Sequence, residues 1–290
     1  MFEKPLYYPG EIVNGEVVYE LDKEIKVRNI LINIACGEHT VIHVRRRSGR
    51  HTHTYTYTEF YPFVTHQIVA AGEGAVAAGV HRYPFSFPLP QNALPSYQGV
   101  HARVTYEVTT KADIPWGFDV EGGAAFRVGV PPQLVSRPAM PKFFVSPNTA
   151  NMGMGGMQAP FLRSTDDKPC FKVDIFNDLV IAGQALQGTV TVANLNPKLR
   201  AVQLKLVPIE NARARGYSET AYLTPVLVEI PASALRDNTP INFQIPVPPQ
   251  TFSTYIGGIS SLSWRLECNL DLSWSIDVSA MTDIIVVNCN

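Results

Sequence analysis

The chain repeats itself, and the repeat constrains its fold more than any other feature. Pro88, Tyr97, Gly99, Tyr106 and Trp116 are answered 158 residues later by Pro246, Tyr255, Gly257, Trp264 and Trp274. Gly10 and Gly15, in Gly-Glu-Ile-Val-Asn-Gly, return 173 residues later as Gly183 and Gly188. The offsets differ by 15, so the first copy carries about fifteen extra residues between these landmarks. A chain of this kind is built from two copies of one unit. The unit is extended. Phe85, Phe87 and Leu89 alternate with Ser86, Pro88 and Pro90, the pattern of a short strand with one buried face. Its prolines cannot donate to a ladder, so it is expected to lie at a sheet edge or to end quickly. Pro95 and Gly99 then frame a turn, and Val100 to Lys111 returns with Val104, Tyr106 and Val108 on one face. Between Ile25 and Cys36 the core face is Ile30, Ile32, Ile34 and Cys36. Helical spacing is almost absent; Pro231 to Leu235 could make one turn. The expected class is all-β, two tandem antiparallel immunoglobulin-like β-sandwiches.

The 290 residues divide into a first sandwich over 1–131, a connection over 132–169 and a second sandwich over 170–290. The connection is rich in proline and glycine and holds Met152, Met154 and Met157, adaptable side chains suited to a docking loop. Residues 70–79 are small and Gly-rich and predict a flexible loop. The apolar fraction of 46% and charged fraction of 17% describe a globular chain. A net charge of −1 supplies no field to draw nucleic acid. No apolar run approaches a membrane span. Glu3, Lys4 and Pro5 at the start break any apolar leader, so the expectation is a cytoplasmic chain with reduced, mostly buried cysteines.

Residues 41–60 read as a protruding or edge hairpin, since neither face of His51 to Phe60 is apolar enough to pack. Its tip, Arg45-Arg46-Arg47-Ser48-Gly49-Arg50, is a local positive patch on a neutral protein. Arginine forks suit phosphate or carboxylate, so a partner with an acidic or phosphorylated segment, or an acidic lipid surface, is expected there. His51 and His53 share a face with metal-ligand spacing. Whether His43 joins them depends on register: an odd loop pairing 46 with 50 brings it opposite His53, while a Ser48-Gly49 turn brings Val44 there instead. Neighbouring arginines oppose a cation. A metal-binding or metal-dependent role for His43, His51 and His53 is the competitor to a binding protein; no cofactor and no metal is the leading expectation. No P-loop, GxGxxG or GxSxG elbow points to an enzyme. Trp116, Trp264 and Trp274 are expected to pack in the core or at its rim.

Tyr8-Pro9-Gly10-Glu11 with Gly15-Glu16-Val17, Phe85-Ser86-Phe87-Pro88-Leu89-Pro90, Leu94-Pro95-Ser96-Tyr97-Gln98-Gly99 and Val104-Thr105-Tyr106 together resemble arrestin-fold proteins, most closely the arrestin domain-containing branch. The resemblance covers nearly the whole chain, and it too implies two sandwiches in tandem. It implies a non-enzymatic adaptor or scaffold that binds membrane-protein cargo or trafficking machinery, peripheral at endosomal or plasma membrane. A retromer-type coat subunit and a bacterial arrestin-like regulator share the pattern. The chain departs from visual and β-arrestins: Lys4 stands alone where they carry adjacent lysines, and no long tail follows the second copy. The PPxY motif found in many members of the branch is absent; Pro131-Pro132-Gln133-Leu134 does not match it.

Overall fold

The computed structural model describes residues 1–49, 51–150 and 162–289. The first copy runs β1 (Leu6–Tyr7), β2 (Ile12–Leu21), β3 (Ile25–Val27), β4 (Asn29–Ser48), β5 (His51–Ala71), β6 (Gly74–Val76), β7 (Gly79–Pro88), β8 (Tyr97–Gln98), β9 (Ala102–Asp113), β10 (Val120–Ala125) and β11 (Arg127–Val128). A helix over Pro132–Val135 follows. Then come β12 (Lys142–Val145), β13 (Cys170–Ile175), β14 (Leu179–Ile181), β15 (Ala185–Ala193), β16 (Leu199–Ala214), β17 (Tyr217–Tyr222), β18 (Val226–Pro231), β19 (Ile241–Pro246), β20 (Tyr255–Ile256), β21 (Ser260–Leu272) and β22 (Val278–Val287). The 3-10 turn over Ala232–Ala234 falls where the sequence allowed one.

The repeat is physical. One sheet of the first copy is ordered β10-β9-β4-β5 with β8 on β9; the second copy repeats it as β22-β21-β16-β17 with β20 on β21. Its facing sheet holds β2 on β7, repeated as β15 on β19. Even single pairs recur: Tyr97 faces Val104 as Tyr255 faces Leu262, and Gly15 faces Phe85 as Gly188 faces Phe243. The parallel pairs β1–β11 and β14–β22 are equivalent as well. Ile30, Ile32, Ile34 and Cys36 are buried, as are Val104, Tyr106 and Val108. Alternation places these apolar residues on one face, and burying them supplies the main stabilisation.

Three expectations change. Part of the stretch read as connection, Lys142–Val145, is a strand that pairs antiparallel with β13 and widens the second sandwich. Gly74–Val76, inside the expected flexible loop, pairs with Ile25–Val27. Glycine and alanine weaken a strand, but a ladder to β3 still forms. Finally, Trp264 packs in the core, but Trp116 and Trp274 are wholly exposed, at 102% and 99%. Periodicity predicted burial from their repeat positions; both instead lie just past a strand end, where the chain turns.

Cys36, Cys170 and Cys268 are buried and Cys289 is exposed, all as free thiols. Burial pushes the Cys36 thiol up to about 12 and raises those of Cys170 and Cys268. The thiolate is the reactive form, so these three are inert in the folded protein. Titration of native protein with Ellman's reagent at pH 8 is expected to release one equivalent quickly, from Cys289, and three more only after denaturation. A fast release of two or more equivalents would contradict this core.

Candidate functional site

Two buried carboxylates fasten the copies together. Glu38 lies on β4 and Glu210 on β16, 172 residues apart, and both are 0% exposed. Glu38 reaches into the turn before β21. It accepts from the amides of Gly258 (2.7 Å), Ile259 (3.2 Å) and Ser260 (2.8 Å) and from the Ser260 hydroxyl (2.6 Å). Glu210 reaches into the equivalent turn before β9. It accepts from the amides of Val100 (3.0 Å) and His101 (2.6 Å) and from the Tyr97 hydroxyl (2.6 Å). Each turn is closed by its own bond, Gly99 N–H to Ala102 C=O and Gly257 N–H to Ser260 C=O, both 2.8 Å. That closure leaves successive N–H groups pointing outward, a nest that binds an anion. A buried charge is tolerable because these donors replace its water. The glycines of the repeat have their reason here. A Cβ on Gly99 would collide with Glu210, and one on Gly257 with Glu38. Burial and the bond to Glu210 raise the Tyr97 pKa, so the phenol keeps its proton and stays a donor. Tyr97 also packs against Tyr255 and Phe252, each 5.1 Å between ring centroids.

Sequence reasoning missed this pair. The available signal was a glutamate continuing the core alternation of Ile34 and Cys36, matched by one following Leu204 and Leu206.

The β4–β5 hairpin projects beyond its own sheet and leans on the second copy. Thr40 donates to the Arg213 carbonyl (2.6 Å), and Glu59 accepts from the Arg215 amide (2.7 Å). Tyr57 stacks on Tyr217 at 4.3 Å. The Arg46 guanidinium lies 5.7 Å from the Tyr55 ring and 5.8 Å from the Tyr217 ring and donates to the Tyr217 hydroxyl. Such cation–π contacts hold arginine in place while leaving it charged.

The register separates residues that the sequence grouped. Ser48 pairs with His51, so Arg46 faces His53 and His43 faces Thr56. Side chains alternate along a strand, which puts His43 on the opposite face from His53. The three histidines therefore do not converge. Among the described residues no group of three or more His, Cys, Asp or Glu could hold a metal. The three-histidine cluster therefore does not form, because the loop closes with neither register that the sequence suggested.

The arginines split too. Arg46 turns toward Tyr217, whereas Arg45 and Arg47 share the outer face with His43. Opposite these three stand Thr52, Thr54 and Thr56 in the order Arg47–Thr52, Arg45–Thr54 and His43–Thr56. All six are exposed. His43 is hydrogen-bonded to Thr56 at 3.1 Å. No carboxylate pairs with Arg45 or Arg47 among the described residues. The outer face is thus a ladder of two arginine–threonine rungs and one histidine–threonine rung about 6.6 Å apart, the spacing of alternate residues in an extended chain. Of the other expected contact residues, Arg50, Met152, Met154 and Met157 lie outside the described residues.

Comparison with known proteins agrees with the fold. Residues 2–134 match the family model for the arrestin (or S-antigen) N-terminal domain. Over 302 aligned residues the chain is 24% identical to arrestin domain-containing protein 17 of Caenorhabditis elegans, covering 96% of this chain and 67% of that protein. A shorter match, 26% identical over 110 residues, covers 38% of this chain and 24% of arrestin domain-containing protein 1 of Mus musculus.

Proposed function

We propose that this chain, which matches the arrestin N-terminal domain over residues 2–134 and is similar along 96% of its length to an arrestin domain-containing protein, is a non-enzymatic adaptor. Its outer hairpin face captures an extended acidic or phosphorylated segment of a membrane-protein cargo. The observation that carries this reading is the ladder of Arg47–Thr52, Arg45–Thr54 and His43–Thr56, exposed and, among the described residues, without a paired carboxylate. A cargo tail lying along the hairpin with acidic or phosphorylated residues at alternate positions meets one rung per two residues. Arginine forks bind phosphate with two parallel bonds, and the threonine hydroxyls donate the remainder. The hairpin keeps its shape because its other face is anchored through Tyr57 and Arg46 to Tyr217. The molecule then acts at the cytoplasmic side of plasma or endosomal membrane, as a peripheral protein; no helix among the described residues is long and apolar enough to cross one.

The test uses fluorescence anisotropy with a labelled peptide carrying phosphoserine at alternate positions and its unphosphorylated twin. Arg45→Glu with Arg47→Glu is expected to weaken capture of the phosphopeptide at least about tenfold, since each lost charge-assisted contact is worth about 1.5 kcal/mol or more. Thermal stability should hold, because neither side chain touches the second copy. Binding should also fall as salt rises. Equal affinity of the reversed variant, or equal affinity for the two peptides, would remove the hairpin face from the model.

A further inference from the structure

Neither anionic capture nor the carboxylate pair accounts for the two exposed tryptophans. Trp116 sits in the β9–β10 turn and Trp274 in the β21–β22 turn, 158 residues apart. Each is followed two positions later by a second exposed apolar side chain, Phe118 at 97% and Ile276 at 82%. Each occupies left-handed backbone, φ 61° and 56°, which a bulky residue rarely adopts. An aspartate fixes each turn: Asp119 accepts from the Ile114 amide (3.1 Å), and Asp277 from the Leu272 amide (2.9 Å). These two aspartates are again 158 apart. The fold therefore builds the same device twice, an indole and a neighbouring apolar side chain held outward on a short rigid tip.

We propose that these two tips are paired anchors for the interfacial region of a lipid bilayer. Their form favours a bilayer over a protein partner. Binding hot spots on proteins are usually packed and ringed by neighbours that exclude water. These indoles are convex and touch nothing around them. Tryptophan is the side chain that prefers the headgroup level, with an apolar body and one polar N–H. Their placement also fits a broad surface. β9 and β21 both start at the junction, where Val100, His101 and Ser260 meet the buried glutamates. Each strand then runs roughly 40 Å away from the junction, so each tip stands at the far end of its own copy. One bilayer can meet both ends at once, and two weak anchors on one rigid body reinforce each other. Charge distinguishes the ends. Lys111 beside the first tip is paired with Asp119 and Glu121. Beside the second, the Lys168 ammonium donates to the Ile276 carbonyl and the Lys198 carbonyl accepts from Ser273. Lys198 is exposed and free to meet an anionic headgroup.

The protein reports on itself, for it has three tryptophans and Trp264 is buried. Vesicles of phosphatidylcholine with phosphatidylserine are expected to shift the emission to shorter wavelength, and brominated lipid to quench it. Co-sedimentation with the same vesicles gives a second readout. Trp116→Ser or Trp274→Ser should each weaken sedimentation about tenfold, and the double variant about a hundredfold. The thermal midpoint should stay in place, since neither indole packs. The phosphopeptide affinity of the double variant should equal that of wild type, which keeps this test separate from that of the hairpin face. No spectral shift with vesicles, or sedimentation unaltered in the double variant, overturns the proposal. Single variants that bind like wild type remove the two-anchor claim.

Discussion

Glu38→Ala and Glu210→Ala are each expected to lower folding stability by about 3 kcal/mol or more, a large share of what a domain possesses. The cost does not come from losing a favourable charge pair, since among the described residues no salt bridge reaches either carboxylate. It comes from what is left behind. Without Glu38 the amides of Gly258, Ile259 and Ser260 and the Ser260 hydroxyl lose their acceptor inside the junction. Without Glu210 the same fate meets Val100, His101 and Tyr97. Unsatisfied buried donors cost about 1–3 kcal/mol apiece, partly relieved when water enters. Glutamine should fall between: it keeps one acceptor oxygen but turns an NH2 group toward a donor. Because both carboxylates bridge the copies, the alanine variants should also uncouple them. Urea unfolding followed by circular dichroism is expected to change from one transition to two. An alanine variant with an unchanged midpoint would falsify the assignment of the pair as the fastening of the junction.

Gly188→Ala should be comparably damaging, at about 3 kcal/mol, the upper part of the range for forcing one extra carbon into a packed core. A Cβ at Gly188 would collide with the backbone carbonyl of Asp174 and come within 2.7 Å of Cζ of Phe243. The carbonyl belongs to β13, paired with β15, so it cannot swing aside. Gly15→Ala places its Cβ 2.5 Å from Cζ of Phe85 and 2.7 Å from the Met1 carbonyl. There the backbone obstacle belongs to exposed Met1, outside any named strand, and not to a strand of the ladder, so the penalty should be smaller. The ordering is the test: thermal melts in which Gly15→Ala is the more harmful of the two would mean that neighbouring strand β13 is not where the structure puts it. The pairing also explains why glycine recurs in the motif. Phe85 and Phe243 lay their rings over the opposing glycine, and a side chain there would displace the ring from the core.

Much of the fold was legible because it rests on local rules. Alternation of Ile30, Ile32, Ile34 and Cys36 named a core face that is buried in full. The offsets of 158 and 173 named equivalent strands, and cross-strand pairs recur at them, Tyr97–Val104 as Tyr255–Leu262 and Gly15–Phe85 as Gly188–Phe243. Less of the candidate site was legible. Arg45, Arg46 and Arg47 were found as a cluster, but a cluster in sequence has no faces until a register is chosen. The closure of Ser48 on His51 set Arg45 and Arg47 with His43 and turned Arg46 to the other side. The same closure separated the histidines. Trp116 and Trp274 misled because a pattern marks which residues are apolar, not whether another layer exists to cover them.

The sequence by itself determined the duplication, the β class, the inward faces of the principal strands and the glycines of the turns. Those follow from steric and hydrophobic preferences acting over a few neighbouring residues. Only the tertiary structure decided what the two copies do to each other: a glutamate from each sealing a turn of the other, a hairpin of one braced on a tyrosine of the other, and two indoles left in water. Such contacts join residues more than a hundred positions apart. Their energies depend on donors, acceptors and rings meeting in space, and no periodicity along the chain records that meeting.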